Sequence, residues 1–459
     1  MPVQLDRFLQ KTWAYRNNLQ GQIKLAILAA GLGSRMDPIP QHHLPKPMFP
    51  LGGVVPMVEI WVRRAVALGI TDISMNLCVL KDTISSYFRD GLLFGANITY
   101  VEEKEPSGTL GGVCKQALGR EAKVVTPGEE PLTQPPFAGS TLIVPSGDIV
   151  TDLGIELLEQ MYEIHRRQGA ALTMLLTPVP WERRKDFGTV QLGDSQRLAG
   201  LLSEAGPIID FIEKDPNSPS NLNNASVYII EMELLRHLDP RRTAAAKDIA
   251  EPFYDFGKHV FPALLGKLPY VRLSHDFPLW GVRYEGQWYD VGRKRDYLQI
   301  NQSILEGQIS VDLPYQKLPW GFLGNNVVMN LAEVTIIPPV VIGHDCIIEN
   351  GATLGPFAII GDGWTIERHA QISNSVLWKR YAFFTKNGEK IPVRERKLVD
   401  RHEVRRGTII DTCIIIGGTI SPELYEPGQD RLCERTIDVL ENGELQIVSI
   451  DWVPAGPRL

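Results

Sequence analysis

A chain of 459 residues is long enough for two or three domains with full-sized cores. Its composition, 44% hydrophobic and 22% charged, is ordinary for a globular protein, and a net charge of −7 argues against a nucleic-acid binder, which needs a basic face. The five cysteines (Cys78, Cys114, Cys346, Cys413 and Cys433) are scattered without a CxxC pair, which predicts neither a disulfide framework nor a zinc site and suits a reducing cytoplasm.

The first twenty residues, MPVQLDRFLQKTWAYRNNLQ, hold no unbroken apolar core and do not form a signal peptide. No run approaches a membrane span. Phe8, Leu9, Trp13 and Tyr15 are expected on one face of a short helix that docks on the protein itself or on a sister subunit. The aliphatic run Leu25 to Ala30 then reads as a buried strand. It empties into Gly31-Leu32-Gly33-Ser34-Arg35, where two glycines let backbone N–H groups point around an anion. Arg35 adds a forked cation at the loop mouth, and Lys46, between Pro45 and Pro47, adds a second charge. Together they suit a polyphosphate; the bland alternative is a tight turn. Walker A is excluded, because no Gly-Lys-Ser/Thr follows, and the dinucleotide fingerprint fails at Met36.

Next come a helix over Pro56 to Leu68, a strand over Ile73 to Leu77, a helix over Lys81 to Phe88 and a strand over Ile98 to Val101. This alternation predicts a Rossmann-like, mostly parallel open α/β sheet with helices on both faces and ligands at the strands' carboxyl ends. Glu103 to Gly112 reads as a turn into a helix beginning near Gly111, and the Pro-rich insert between Glu121 and Gly139 as a surface loop. Thr141 to Val144 is a strand that delivers Ser146-Gly147-Asp148 to the edge where the glycine loop lies. An acid there is costly unless it meets a cation; its bland role, capping the next helix, suits Asp152 better.

Towards the other end a period of six appears. Ile336, Ile342, Ile348, Leu354, Ile360, Ile366 and Ile372 are six apart, with Trp378 next, and glycine or asparagine fills many corners. A hexad with an inward aliphatic and a turn at each corner predicts a parallel β-helix. A charged insert interrupts it before Thr408-Ile409-Ile410 and Cys413-Ile414-Ile415 resume. Asn442-Gly443 predicts a hairpin in the tail. The expected organisation is therefore an N-terminal extension (1–22), an α/β domain (23–305), a linker (306–330), a β-helix (331–425, insert 381–406) and a tail (426–459).

The ordered set AAGxGSRM, then PKPM, resembles the signature of the sugar-1-phosphate nucleotidylyltransferases, and further motifs continue the family order from Lys24 to about Asn301. The segment 40–44 is one residue longer than the family's usual spacing. The resemblance implies transfer of a nucleotidyl group from a nucleoside triphosphate to a hexose 1-phosphate, with pyrophosphate released. It implies Arg35 and Lys46 as catalytic cations, and nucleotide contacts from Leu28, Ala29, Gly31, Gly33, Ser34, Glu103, Gly108 and Thr109. Gly188, Glu213, Lys214 and Asn224 are implied at the sugar phosphate, with Asp215 inserted before Pro216 and Ser226 where glycine is common. Asp148 and Asp290 are implied as ligands of Mg²⁺.

Glu103 stands where uridine- and thymidine-using relatives carry glutamine. A carboxylate only accepts hydrogen bonds, which leans towards guanine, hence GTP with mannose 1-phosphate, over UTP (or dTTP) with glucose 1-phosphate. The repeat resembles the left-handed hexapeptide domain that follows many of these enzymes, and its flat flanks suit homo-oligomer packing. Two other readings are a non-catalytic regulatory subunit and an acyltransferase head using His344 or His369. Five intact charged positions oppose the first; the corner placement of both histidines opposes the second.

Overall fold

A computed structural model describes residues 21–36, 44–119, 123–124, 132–133, 137–240, 254–268, 277–379, 385–386, 389–390, 402–439 and 445–450. The expectations for the N-terminal helix face, for 40–43, for most of the 381–406 insert and for the Asn442-Gly443 turn lie outside these residues. Residues 1–32, 45–47 and 58–288 belong to one compact unit, and 33–44, 48–57 and 289–459 to a second. Among the described residues no helix is long and apolar enough to cross a membrane.

The first unit is built on the strand Ile23–Ile27, buried along its whole length. A run so apolar is stable only with a neighbour on both edges and cover on both faces. It pairs in parallel with Asp72–Leu77 on one side and Thr141–Pro145 on the other, and Asp72–Leu77 pairs in parallel with Asn97–Glu102. These four strands are the expected Rossmann-like centre. Past Thr141–Pro145 the sheet turns antiparallel: Leu222–Glu231 pairs with it, then Gly188–Leu192, Leu202–Glu213 and Leu279–Tyr284 follow. Leu172–Pro178 closes this half, parallel to Leu279–Tyr284 and antiparallel to Leu222–Glu231.

The insert read as a surface loop instead supplies two edge strands, Lys123–Val124 and Leu132–Thr133, which extend the sheet beyond Asn97–Glu102. The helix expected near Gly111 begins three residues earlier and spans Gly108–Leu118. Its Leu110, Val113, Cys114 and Ala117 share one core with Ala26, Leu142 and Val144, so the helix is fixed under the central strands. Helix Ile155–Arg167 buries Leu158, Met161, Tyr162 and His165, the one-sided spacing of a surface helix. Its N-cap is Gly154, without a side-chain bond. Asp152 does not cap it: its Oδ1 accepts the Gln287 N–H at 2.6 Å and the Tyr284 hydroxyl.

The second unit carries a parallel β-helix. Its rungs stack in three ladders, for example Val340–Ile342 on Ala358–Ile360, Ile347–Ile348 on Trp364–Ile366, and Thr353–Leu354 on Gln371–Ser373. From Leu354 to Ile372 the chain advances by 18 positions, three hexads to a coil. The inward aliphatics Ile342, Leu354, Ile360 and Ile366 are fully buried. Corners fall in the left-handed region, where Gly351 and Gly363 (both φ +79°) sit without strain and Asn374 (φ +46°) is tolerated.

One expected rung is displaced. Leu377, not Trp378, pairs with Ile360, because the last hexad is a residue short after Ile372. Trp378 instead packs edge-on against Phe49 and Tyr297, with centroids at 5.0 and 5.7 Å. Past the insert the stack resumes at His402–Val404, opposite Trp364–Ile366, and Ile410 then lies opposite Ile372, a step of 38 positions. The strands Arg435–Val439 and Leu445–Ser449 pair antiparallel and end the stack.

Candidate functional site

The carboxyl ends of the parallel strands gather the chemistry of the first unit, as open α/β sheets do. Leu28 leaves the central strand, bridges to Ser146, and accepts the Gly147 N–H at 2.8 Å. A Cβ on Gly147 would lie 3.2 Å from both the Leu28 carbonyl oxygen and Pro47 Cβ. Glycine there lets the loop strand, the Pro45-Lys46-Pro47 segment and Asp148 close on one another. Lys46 Nζ donates to Asp148 Oδ2 at 2.5 Å, and Ser146 Oγ to Oδ1 at 2.5 Å. Burial alone pushes the Asp148 carboxyl up; the Lys46 charge and the bonds from Lys46 and Ser146 outweigh it and hold the carboxyl below its ordinary value. The longer 40–44 segment therefore does not keep Lys46 from the Asp148 strand.

Among the described residues no group of three or more His, Cys, Asp or Glu is gathered for a metal. The donor set at Asp148 is hard oxygen only, and its side chain remains 24% exposed. Such a set suits Mg²⁺, which keeps several waters and binds through one or two carboxylates together with phosphate oxygens.

Beside Leu28 and Ala29 lies a side chain that the sequence reading missed. Asn76, nearly buried at the carboxyl end of Asp72–Leu77, accepts the Ala29 N–H at 2.7 Å and donates to Glu103 Oε1 at 2.9 Å. The other Glu103 oxygen accepts the Ser107 N–H and hydroxyl, each at 2.7 Å, with Lys115 Nζ at 3.8 Å. Glu103 therefore does not present its carboxylate to a base: the side chain has no exposure, with one oxygen held by Asn76 and the other by the turn at Ser107. The lean towards guanine that it carried is withdrawn. An amide near the carboxyl end of a strand, alternating with Ile73, Met75 and Leu77, was the available signal for Asn76.

Gly108 opens the helix with φ +74°, and a Cβ there would run into the Tyr254 carbonyl. Thr109 Oγ1 accepts the Phe256 N–H at 2.9 Å and lies 3.4 Å from Asp255 Oδ2, so the Gly-Thr pair is stitched to the Asp255-Phe256-Gly257 element. Gly108→Ala is expected to cost about 2 kcal/mol, from left-handed strain and the backbone overlap. A denaturant titration with unchanged midpoint would remove that explanation for the glycine.

On the opposite wall Gly188 pairs with Glu213 across two strands. Cβ atoms on Gly188 and Gly257 would come within 2.8 and 2.9 Å of Glu213 Oε2, so two glycines flank one carboxylate oxygen. Lys214 follows in the left-handed region (φ +52°), its side chain 61% exposed and its ammonium 3.4 Å from Glu213 Oε1. Asn224 accepts the Ser226 N–H at 3.0 Å and donates to the Tyr228 hydroxyl at 2.8 Å. Burial pushes the Tyr228 phenol well up. Ser226 itself adopts φ +55°, the conformation that makes glycine common there, and its carbonyl accepts the Ser146 N–H at 3.0 Å.

In the second unit Gly33 (φ +65°) starts the short turn Ser34–Met36. The exposed Arg35 guanidinium lies over Gly292, whose added Cβ would sit 3.1 Å from Nη1. The Gly292 N–H donates to the Asp290 carbonyl at 2.7 Å, so Arg35 lies over the tight turn Asp290-Val291-Gly292. In the β-helix, His344 Nδ1 accepts the Asn325 N–H at 2.8 Å and its ring packs on Tyr315; His369 occupies a left-handed corner. Neither arrangement marks a catalytic base.

The nucleotidyl transferase family model matches residues 24–307. The chain is 30% identical to a UTP–glucose-1-phosphate uridylyltransferase of Synechocystis sp., over 78% of its own length and 83% of the relative's. It is 25% identical to a probable mannose-1-phosphate guanylyltransferase of Oryza sativa subsp. japonica, over 81% and 92% of the two chains. It is likewise 25% identical to a mannose-1-phosphate guanylyltransferase of Mycobacterium tuberculosis, over 75% and 82%.

Proposed function

Since this chain belongs to the nucleotidyl transferase family, we propose that it joins a nucleoside triphosphate to a hexose 1-phosphate, forming an NDP-hexose and releasing pyrophosphate. The observation that carries this reading is the Lys46–Asp148 pair, set beside Leu28 at the carboxyl ends of the parallel strands. In the reaction a phosphate oxygen of the sugar bonds to the α-phosphorus while the bond from that phosphorus to the departing pyrophosphate breaks. The attacking oxygen is already ionised near neutrality and needs no general base. What the site supplies is alignment and charge neutralisation between two anions.

Lys46, 7% exposed, screens the triphosphate. Lys214, with its side chain largely exposed, receives the sugar's phosphate, and Glu213 and Asn224 face the sugar. Arg35 and Asp290 keep the roles that the sequence motifs imply, at the pyrophosphate and as a metal carboxylate. Asp148 would hold Mg²⁺, which when bound neutralises charge developing on the α-phosphate oxygens. Five free thiols fit a reducing cytoplasm. Val328 and Ile347, exposed on adjacent β-helix rungs, suit packing against a second copy.

For the substrate pair, the first reading is UTP with glucose 1-phosphate. It is supported by the withdrawal of Glu103 from the base and by the 30% identity to the Synechocystis uridylyltransferase. The second is GTP with mannose 1-phosphate, supported by the plant and mycobacterial relatives. Pyrophosphate release across a matrix of four nucleoside triphosphates and several hexose 1-phosphates tests both. The expected result is turnover at least tenfold faster for one of these two pairs than for any other. Absence of pyrophosphate release with every pair overturns the enzymatic reading.

A further inference from the structure

The hydrogen bonds around Asn76 form a strut between two walls that are distant in sequence. One end is the Ala29 N–H, at the start of the glycine loop; the other is Ser107, immediately before Gly108 and Thr109. Between them lie one amide and one carboxylate, Asn76 at 3% exposure and Glu103 with none on its side chain. Each polar atom on this line has an assigned partner, and Glu103 Oε2 also has Lys115 Nζ at 3.8 Å. Asn76 Oδ1 takes the Ala29 N–H, Asn76 Nδ2 gives to Glu103 Oε1, and Glu103 Oε2 takes both Ser107 donors. Gly112 leaves room for the amide, since a Cβ there would lie 2.6 Å from Asn76 Nδ2.

Resting on the nucleotidylyl-transfer reading above, we propose that Asn76 and Glu103 are the positioning pair that sets the width of the nucleotide-base slot. They fix the distance from Leu28–Gly31 to Ser107–Thr109 and so decide which base fits. Neither side chain touches the base. The carboxylate is needed because three donors converge on its two oxygens, while the amide is needed because it must accept from Ala29 and donate to Glu103 at once. A pair so buried tolerates no donor facing a donor and no acceptor facing an acceptor.

This logic permits an exchange of the two functional groups. Asn76→Asp alone sets two carboxylates against each other. Glu103→Gln alone turns an NH₂ towards either Ser107 or Asn76. In the double variant N76D/E103Q every hydrogen bond on this line is remade, and only the 3.8 Å charge pair with the partly exposed Lys115 is lost: the new carboxylate accepts from Ala29 and from the new amide, whose oxygen accepts from Ser107. The test measures KM for UTP and GTP, KM for the sugar 1-phosphate, the ratio of kcat/KM between the two nucleotides, and the melting temperature.

Each single variant is expected to raise the nucleotide KM by about tenfold or more, as a mismatched buried pair does, and to flatten the nucleotide ratio. KM for the sugar phosphate should stay within twofold, and the double variant should recover nucleotide KM and ratio. Single variants with native nucleotide KM and ratio overturn the proposal. So does a double variant that folds without recovering, or one that fails to fold. Wild-type turnover in the same assay reports separately on the underlying reaction: without it the transferase reading fails, whatever the variants do.

Discussion

Asp148→Asn is expected to lower turnover by about 10²–10³-fold, the usual loss when one preorganised charged contact at a reacting centre is removed. The substitution keeps the size of the side chain and the Ser146 bond, so a folded protein should result. What changes is charge: Lys46, nearly buried, loses the carboxylate 2.5 Å away. That loss should also lower stability by roughly 1–3 kcal/mol, less than for a fully buried pair because Asp148 is partly open to water. The pH dependence follows from the sign of the shift. Asp148 is held below its ordinary value, so its stabilisation is full above the ordinary carboxylate range and fades as pH falls through the lowered value. The variant should lack that acid limb. Steady-state kinetics and melting curves from pH 3 to 7 would check both effects, and a turnover within fivefold of wild type would refute the role given to Asp148.

Trp378→Ala should be the most damaging change in the second unit. The indole is 1% exposed and packs edge-on against Phe49 and Tyr297, which are themselves 5.8 Å apart at 82°. Tyr297 donates its hydroxyl to the Pro50 carbonyl at 2.5 Å, and Asn301 accepts the Gly52 N–H at 2.8 Å. The aromatic cluster therefore holds the segment 48–57 against helix Lys294–Leu305 and the β-helix corner. Removing a buried tryptophan typically costs about 3–5 kcal/mol. The backbone oxygen of Trp378, which accepts from Trp364 Nε1 at 3.0 Å, survives the substitution. Urea unfolding followed by circular dichroism should show the loss; a change below about 1 kcal/mol would mean the cluster is not the anchor described.

Local pattern made part of this legible from sequence. The aliphatic run before Gly31 read as a buried strand because it is short and ends at glycine, and the hexad announced its coils because each turn repeats the same constraint. The parallel centre followed from strand–helix alternation. What sequence concealed were relations between distant positions. The antiparallel half depends on which strands meet across more than fifty residues, as when Leu172 finds Ile230. Glu103 looked like a ligand for a base because its partners, Asn76 and Ser107, carry no motif. Trp378 looked like the next inward residue until a five-residue step placed Leu377 there instead. Lys46 and Asp148 were each named, but their direct bond, 102 residues apart, was not.

The stretch between Ile372 and Ile410 shows what a repeat of this kind permits. The rung after it pairs as well as the rung before it, although 38 positions separate them in place of 18. Closing a longer excursion costs little, about 0.6 kcal/mol for each doubling of its length. The coil thus works as a mounting rail: passenger sequence can be lengthened, trimmed or exchanged at this corner, while alignment of the rungs on either side is kept by the backbone bonds that skip over it.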